Sequence, residues 1–168
     1  MNDDLIRRMR EASELHGDFV LSSGKRSTTY FDKFRFLTRA DLLRDIAAEV
    51  ATMLAPDTAL LGAPEGAAML LVAAVSLQTG LPTAVVRKEA KAYGTRAQVE
   101  GEVPHGALTT MLEDVSTTGH QVQAAAEALS AAGADVRRIV LAIDRGGADL
   151  LREAGYEVSA VAVLRPSD

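Results

Sequence analysis

Cysteine is absent from this chain of 168 residues. Its absence excludes a disulfide framework, a thiol nucleophile and any cysteine-ligated metal centre. Histidine is scarce, and His16, His105 and His120 show no ligand spacing, so no structural zinc site is expected. No apolar run is long enough to span a membrane and no signal-peptide pattern appears, so a cytoplasmic protein without a membrane partner is expected. A basic excess is also missing. With 18 Lys+Arg against 23 Asp+Glu, the formal charge of −5 argues against a general nucleic-acid surface. There is no internal repeat, low-complexity tract or interdomain linker. The pattern Gly-x-x-x-x-Gly-Lys-Ser/Thr is lacking, which excludes a P-loop kinase. What is present is a chain 48% apolar and 24% charged, long enough to bury one full core.

Hydrophobic periodicity predicts an amphipathic helix over Asn2–His16, stopped by Gly17, with Leu5, Met9, Ala12 and Leu15 on one face. Short strands follow at Phe19–Leu21 and Tyr30–Phe34, around a turn at Ser22–Arg26. A second helix is expected over Arg39–Leu54. Strands at Ala59–Gly62, Thr83–Val86, Leu108–Leu112, Arg137–Ile143 and Glu157–Val163 then alternate with helices at Ala67–Thr79, Gln121–Ala132 and Ala148–Glu153. Such alternation implies an α/β domain with a largely parallel sheet covered on both faces. Residues 1–168 read as one domain, with about 1–36 forming a small hood beside the sheet.

The most informative stretch is Thr110-Met-Leu-Glu-Asp-Val-Ser-Thr-Thr-Gly-His-Gln121. A buried strand would place Glu113 and Asp114 at its carboxyl end, where an open α/β sheet forms its ligand crevice. The hydroxyl-rich turn that follows opens a helix. Backbone N–H groups at a helix N-terminus, joined by the hydroxyls of Ser116, Thr117 and Thr118, suit a phosphate monoester. Two carboxylates beside a phosphate cradle suggest a ligand with vicinal hydroxyls next to its phosphate, such as a ribose 5-phosphate. Adjacent strand residues point to opposite faces, which is poor geometry for a glycosidase acid–base pair. The plainer reading is a strand-to-helix connection capped by Thr118.

A second stretch, from Val86 to Gly101, leaves a strand carrying Arg87, Lys88, Lys91 and Arg96. Cations concentrated in an acidic protein suit a polyanion. They sit in a long connection of the kind that forms active-site lids, and a lid over a diphosphate would exclude water.

Together with Phe19-Val-Leu-Ser-Ser-Gly24, Tyr30-Phe-Asp-Lys33 and Asp144-Arg145, these stretches occur in the order and approximate spacing of orotate phosphoribosyltransferases. From residue 17 to about residue 163 the chain resembles that family. The resemblance implies a type I phosphoribosyltransferase fold. It implies transfer of ribose 5-phosphate from 5-phosphoribosyl 1-diphosphate to N1 of orotate, with Mg2+, in pyrimidine nucleotide synthesis. By motif, Glu113 and Asp114 would engage the ribose hydroxyls and stabilise positive charge on the sugar. Val115, Ser116, Thr117, Thr118, Gly119, His120 and Gln121 would hold the 5-phosphate. Arg87, Lys88, Lys91 and Tyr93 would meet the donor, with Lys91 stabilising the leaving diphosphate. Thr117, Arg145, Tyr30 and Phe31 would contact orotate; a guanidinium suits a carboxylate bidentately. No residue is directly assigned to the metal. The family's lid commonly reaches the neighbouring subunit, so a homodimer is implied.

Several positions depart from the family pattern. Ser22 stands where many relatives have Lys, Tyr93 where many have His, Glu65 lies in the expected diphosphate loop, and Gln121 replaces a frequent Ser or Thr. Gly146-Gly147 directly follows Arg145, which makes that loop short. Two other readings stay open: a phosphoribosyltransferase for a purine or another base, and a donor-sensing regulator without catalysis.

Overall fold

The computed structural model describes residues 2–20, 24, 26–89 and 97–165. Helix α1 (Asp3–Ser13) opens the chain, capped by the Asn2 side chain accepting from the Leu5 N–H at 3.1 Å. It ends before the predicted Gly17 stop. Ser13 Oγ donates back to the Met9 carbonyl at 2.6 Å, and Glu14 already pairs with Phe31. Strand pairing between β1 (Glu14–Val20) and β2 (Arg26–Phe31) thus overrides the helical periodicity, and Leu15 faces Tyr30 across an antiparallel hairpin. Strand β2 also stops short of the predicted Phe34. The Asp32 carboxylate accepts from the Phe34 N–H at 3.0 Å and starts the short helix α2 (Phe34–Leu37), which buries Phe36 and Leu37.

The sheet is built from β3 (Leu60–Pro64), β4 (Thr83–Val86), β5 (Val99–Glu100), β6 (Leu108–Ser116), β7 (Asp135–Asp144) and β8 (Glu157–Val163), in the order β5-β4-β3-β6-β7-β8. Every pairing is parallel except the β4–β5 edge, a two-residue strand too short to read from periodicity. Helices α3 (Ala40–Met53), α4 (Ala68–Thr79), α5 (His120–Ala131) and α6 (Ala148–Glu153) fall within a residue or two of their expected positions.

Two apolar clusters fill the two sides of the sheet. One joins Leu5, Phe36, Ile46 and Leu71 to Leu112 and Val140; the other joins Val122, Leu129 and Leu151 to Met111, Ile139 and Leu141. The alternation of Met111 with Leu112, and of Ile139 with Val140, is the two-residue strand period feeding both layers. Because α1 and α2 share the first cluster with α3 and α4, the hood is packed against the sheet through apolar contacts. Among the described residues no helix is long and apolar enough to cross a membrane.

Candidate active site

Strand β6 runs four residues beyond its predicted end, so Glu113 and Asp114 are strand residues on opposite faces. Both are buried, at 4% and 1% exposure. Asp114 meets Lys33, whose Nζ lies 3.1 Å from Oδ1 and 3.0 Å from Oδ2. Oδ2 is buried, and its close polar neighbour among the described residues is the Lys33 ammonium, an ion pair rather than an aligned hydrogen bond. Glu113 accepts from the Asp114 N–H at 3.0 Å. Burial, and then the negative charge of Asp114, push the Glu113 carboxyl up to about 8. Burial and the neighbouring carboxylate thus both favour the neutral form of Glu113.

At its end, β6 pairs Ser116 with Asp144 of β7, so the turns after both strands leave the sheet side by side. The Ser116 carbonyl accepts from the Arg145 N–H at 2.8 Å and the Gly147 N–H at 3.3 Å. The residue capping α5 is Gly119, not Thr118. Its φ of 85° is left-handed, and a Cβ there would stand 2.7 Å from the Gly147 carbonyl oxygen. A Cβ on Gly147 would fall 2.0 Å from Ser116 Oγ. The two glycines after Arg145 are thus what lets the neighbouring loop pack on this turn. Ser116 and Gly119 are buried, whereas Thr117, Thr118, His120 and Gln121 are exposed. No side chain caps α5, so its first N–H groups are open to an anion.

Beside this turn lies a cavity of about 460 Å³, lined by Tyr30, Phe31, Thr117 and Arg145 together with Arg10 and Arg165. The Arg145 guanidinium lies over the Phe31 ring, 4.6 Å from its centre. Its Nε is buried without a hydrogen-bond partner among the described residues. Burial pushes this group below its ordinary value, and the nearby Glu14 opposes that shift. The preceding Asp144 serves the backbone: its Oδ1 accepts from Gly146 and Ala148 N–H groups at 2.8 and 3.2 Å. Phe31 packs edge-on against Phe36, and Tyr30 tilts against Phe19.

A smaller recess of about 160 Å³ brings Arg87 and Lys88 together with Pro64 and Gln121. Glu65, unexpected in this loop, accepts from the Lys88 N–H at 2.9 Å and so fastens the segment leaving β4. Arg87 stands 4.0 Å from Glu100 on the edge strand. Lys91, Tyr93, Arg96 and Ser22 lie outside the described residues.

Sequence reasoning missed Lys33 as a site residue, although it closes the Tyr30–Lys33 motif. It also missed Arg10 and Arg165, which carry no motif signal and reach the cavity only through the fold.

No family model matches the chain. Curated relatives do. The orotate phosphoribosyltransferase of Halobacterium salinarum is 40% identical over 95% of this chain and 92% of its own length. That of a Nocardioides species is 44% identical over 88% of this chain and 83% of its own. Among solved structures, Mycobacterium tuberculosis orotate phosphoribosyltransferase in complex with Fe(III) dicitrate superposes with a TM-score of 0.86 at 28% identity, covering 96% of this chain and 95% of that one. The same enzyme in complex with 5-phospho-alpha-D-ribosyl 1-diphosphate gives 0.81 at 25% identity, covering 96% and 94%. The mostly parallel sheet with its hood is accordingly the type I phosphoribosyltransferase fold. With buried carboxylates and an open helix N-terminus beside an arginine-bearing cavity, and with this identity over nearly its full length, the chain belongs to the orotate phosphoribosyltransferase family.

Proposed function

We propose that this cleft transfers ribose 5-phosphate from 5-phosphoribosyl 1-diphosphate to N1 of orotate. The bond from C1 to the diphosphate oxygen breaks, the C1–N1 bond forms, and orotidine 5′-monophosphate and pyrophosphate leave, as one step of pyrimidine nucleotide synthesis. The observation that carries this reading is the buried Glu113–Asp114 pair on the strand that leads into the turn before α5, a turn whose Thr117 lines the cavity with Arg145.

In this reading the turn from Val115 to Gln121 holds the 5-phosphate through backbone N–H groups. Asp114 accepts from the ribose hydroxyls and, as a carboxylate, stabilises the positive charge that grows on the sugar as the diphosphate departs. Arg145 pairs with the orotate carboxylate, Phe31 and Tyr30 flank the ring, and Thr117 borders both ligands. Arg87 and Lys88 meet the diphosphate. Lys91 and Tyr93 lie outside the described residues; by family motif they meet the donor, with Lys91 offsetting charge on the leaving group.

Mg2+ fits as an ion carried in by the donor. Among the described residues no group of three or more His, Asp or Glu side chains could hold a metal. Magnesium typically keeps water and substrate phosphates as ligands, so the diphosphate supplies what the chain does not. When bound, the ion offsets diphosphate charge. A homodimer is supported by α4, which is apolar all round yet leaves Met69, Leu70 and Leu77 exposed at 44%, 39% and 88%.

A donor-dependent absorbance assay with orotate, uracil, hypoxanthine and adenine tests the reading. Turnover is expected with orotate and not with the other three. Turnover with a purine instead would reassign the acceptor, and no turnover with any base would leave a donor-binding regulator.

A further inference from the structure

Among the described residues, Arg10 and Glu14 of the hood line the acceptor cavity, whereas Lys33 forms an ion pair with the strand-end carboxylate Asp114. It lies 81 residues before Asp114 in the chain, yet its ammonium bridges both oxygens of that buried carboxylate. Its own side chain is 39% exposed and that of Asp114 1%, so the pair runs from the surface to a buried strand end. The backbone around it is braced. The Asp32 N–H donates to the Ser13 carbonyl at 2.8 Å, the Asp32 carboxylate holds the Phe34 N–H, and the Lys33 carbonyl accepts from Leu37. Two residues earlier, Phe31 lies under Arg145. One three-residue stretch therefore touches the acceptor cavity at Phe31 and the ribose-facing carboxylate at Lys33.

A carboxylate this deeply buried is costly unless a cation compensates it. Glu113, its neighbour on β6, can only add to that cost when ionised. Lys33 is the cation that pairs with Asp114 among the described residues.

We propose that Lys33 is a positioning residue that acts through Asp114: it holds that side chain as a paired, correctly aimed carboxylate, and ties its placement to the hood that lines the acceptor cavity. This rests on the transferase reading above. The consequence is that Lys33 matters to turnover only as long as Asp114 is a carboxylate. A side chain that merely held the hood in place would matter equally with or without that charge.

The test is a double-mutant cycle in steady-state kinetics on the full chain, with wild type, Lys33→Met, Asp114→Asn and the double variant. Wild-type turnover with orotate comes first; its absence would overturn both the functional reading and this one. Given turnover, Lys33→Met is expected to lower kcat by about 10- to 100-fold, the scale of a misplaced catalytic group, with a smaller change in KM for the donor. The double variant is expected to be no slower than Asp114→Asn alone, within about threefold. Lys33→Gln, which keeps a polar stem without the charge, is measured in parallel so that an insoluble Met variant leaves the comparison intact. A kcat within about threefold of wild type, an effect confined to KM, or full additivity in the double variant would overturn the role of Lys33 and leave the transferase reading standing.

Discussion

At the carboxyl ends of β6 and β7, Glu113, Asp114, Ser116 and Asp144 are 4%, 1%, 4% and 3% exposed, whereas no described residue of the hood strands β1 and β2 is buried. Both regions must hold polar groups in place, but they do so by different means. The sheet end uses backbone register. Parallel pairing fixes Ser116 against Asp144, and the two loops then exchange N–H and carbonyl groups. The hood adds side-chain contacts to its own hairpin register: Phe31 against Phe36, Phe19 against Tyr30, an exposed Arg26–Asp18 pair, and Lys33 on Asp114. Buried backbone hydrogen bonds open only with large-scale unfolding, while surface side-chain contacts rearrange locally. The sheet end is thus held by buried contacts and the hairpin by more exposed ones.

That contrast is broken most severely by Asp114→Asn. It keeps the shape of the donor side but removes the charge opposed to the sugar cation, and a loss in kcat of about 100-fold is expected. Titration calorimetry should find donor affinity changed far less, since the turn's N–H groups remain. Near-native kcat would make Asp114 structural.

The acceptor side is probed by Arg145→Ala. Orotate binding should weaken by about 1.5–3 kcal/mol, the range for a hydrogen bond to a charged group, with the donor constant unchanged. Equal losses for both ligands would show that the cavity and the phosphate turn do not divide the work.

One substitution made in both regions sharpens the contrast. Gly147→Ala sets a methyl 2.0 Å from Ser116 Oγ and 2.7 Å from the Gly119 backbone nitrogen, so the turn must deform. A destabilisation of about 1–3 kcal/mol is expected, lowering Tm by about 2–4 °C per kcal/mol, together with weaker donor binding. Gly17→Ala in the hood meets only the flexible Phe19 ring, at 3.2 Å, and should leave Tm within error. Similar Tm values for the two variants would refute the close packing of the turn.

The mildest effect is on pH dependence. Glu113 is pushed up to about 8 in the fold from an ordinary value of 4.5. The native state therefore holds a proton that the unfolded chain has lost, so stability from this group is complete below the unfolded value and declines as pH rises towards about 8. Urea melts across that window should slope downward for wild type, by at most one proton's worth, and less for Glu113→Gln. Identical slopes would place the titration elsewhere.

Most helices and parallel strands were legible because apolar segments alternate with turn and stop residues such as Pro56-Asp57 and Gly133. The errors fall where a nonlocal contact competed with a local pattern. Leu15 continues the periodicity of α1, yet its backbone is claimed by Tyr30 across the hairpin. Phe34 looks like strand, but the Asp32 carboxylate turns the chain and Phe36 finds the core. The acidic pair could be recognised as chemistry in sequence, while its burial and the raised Glu113 carboxyl could not.

By itself the sequence determined the order of the longer strands and helices, the strand-end carboxylates, the glycine-bearing turn and the arginine that follows Asp144, since each depends on neighbours within a few residues. Only the tertiary structure decided that Lys33 meets Asp114, that Gly147 makes room for Ser116, and that Arg10 and Arg165 face the same cavity as Arg145. These contacts join segments far apart in the chain. Their distances are set by strand order and hood packing, which local residue patterns do not encode.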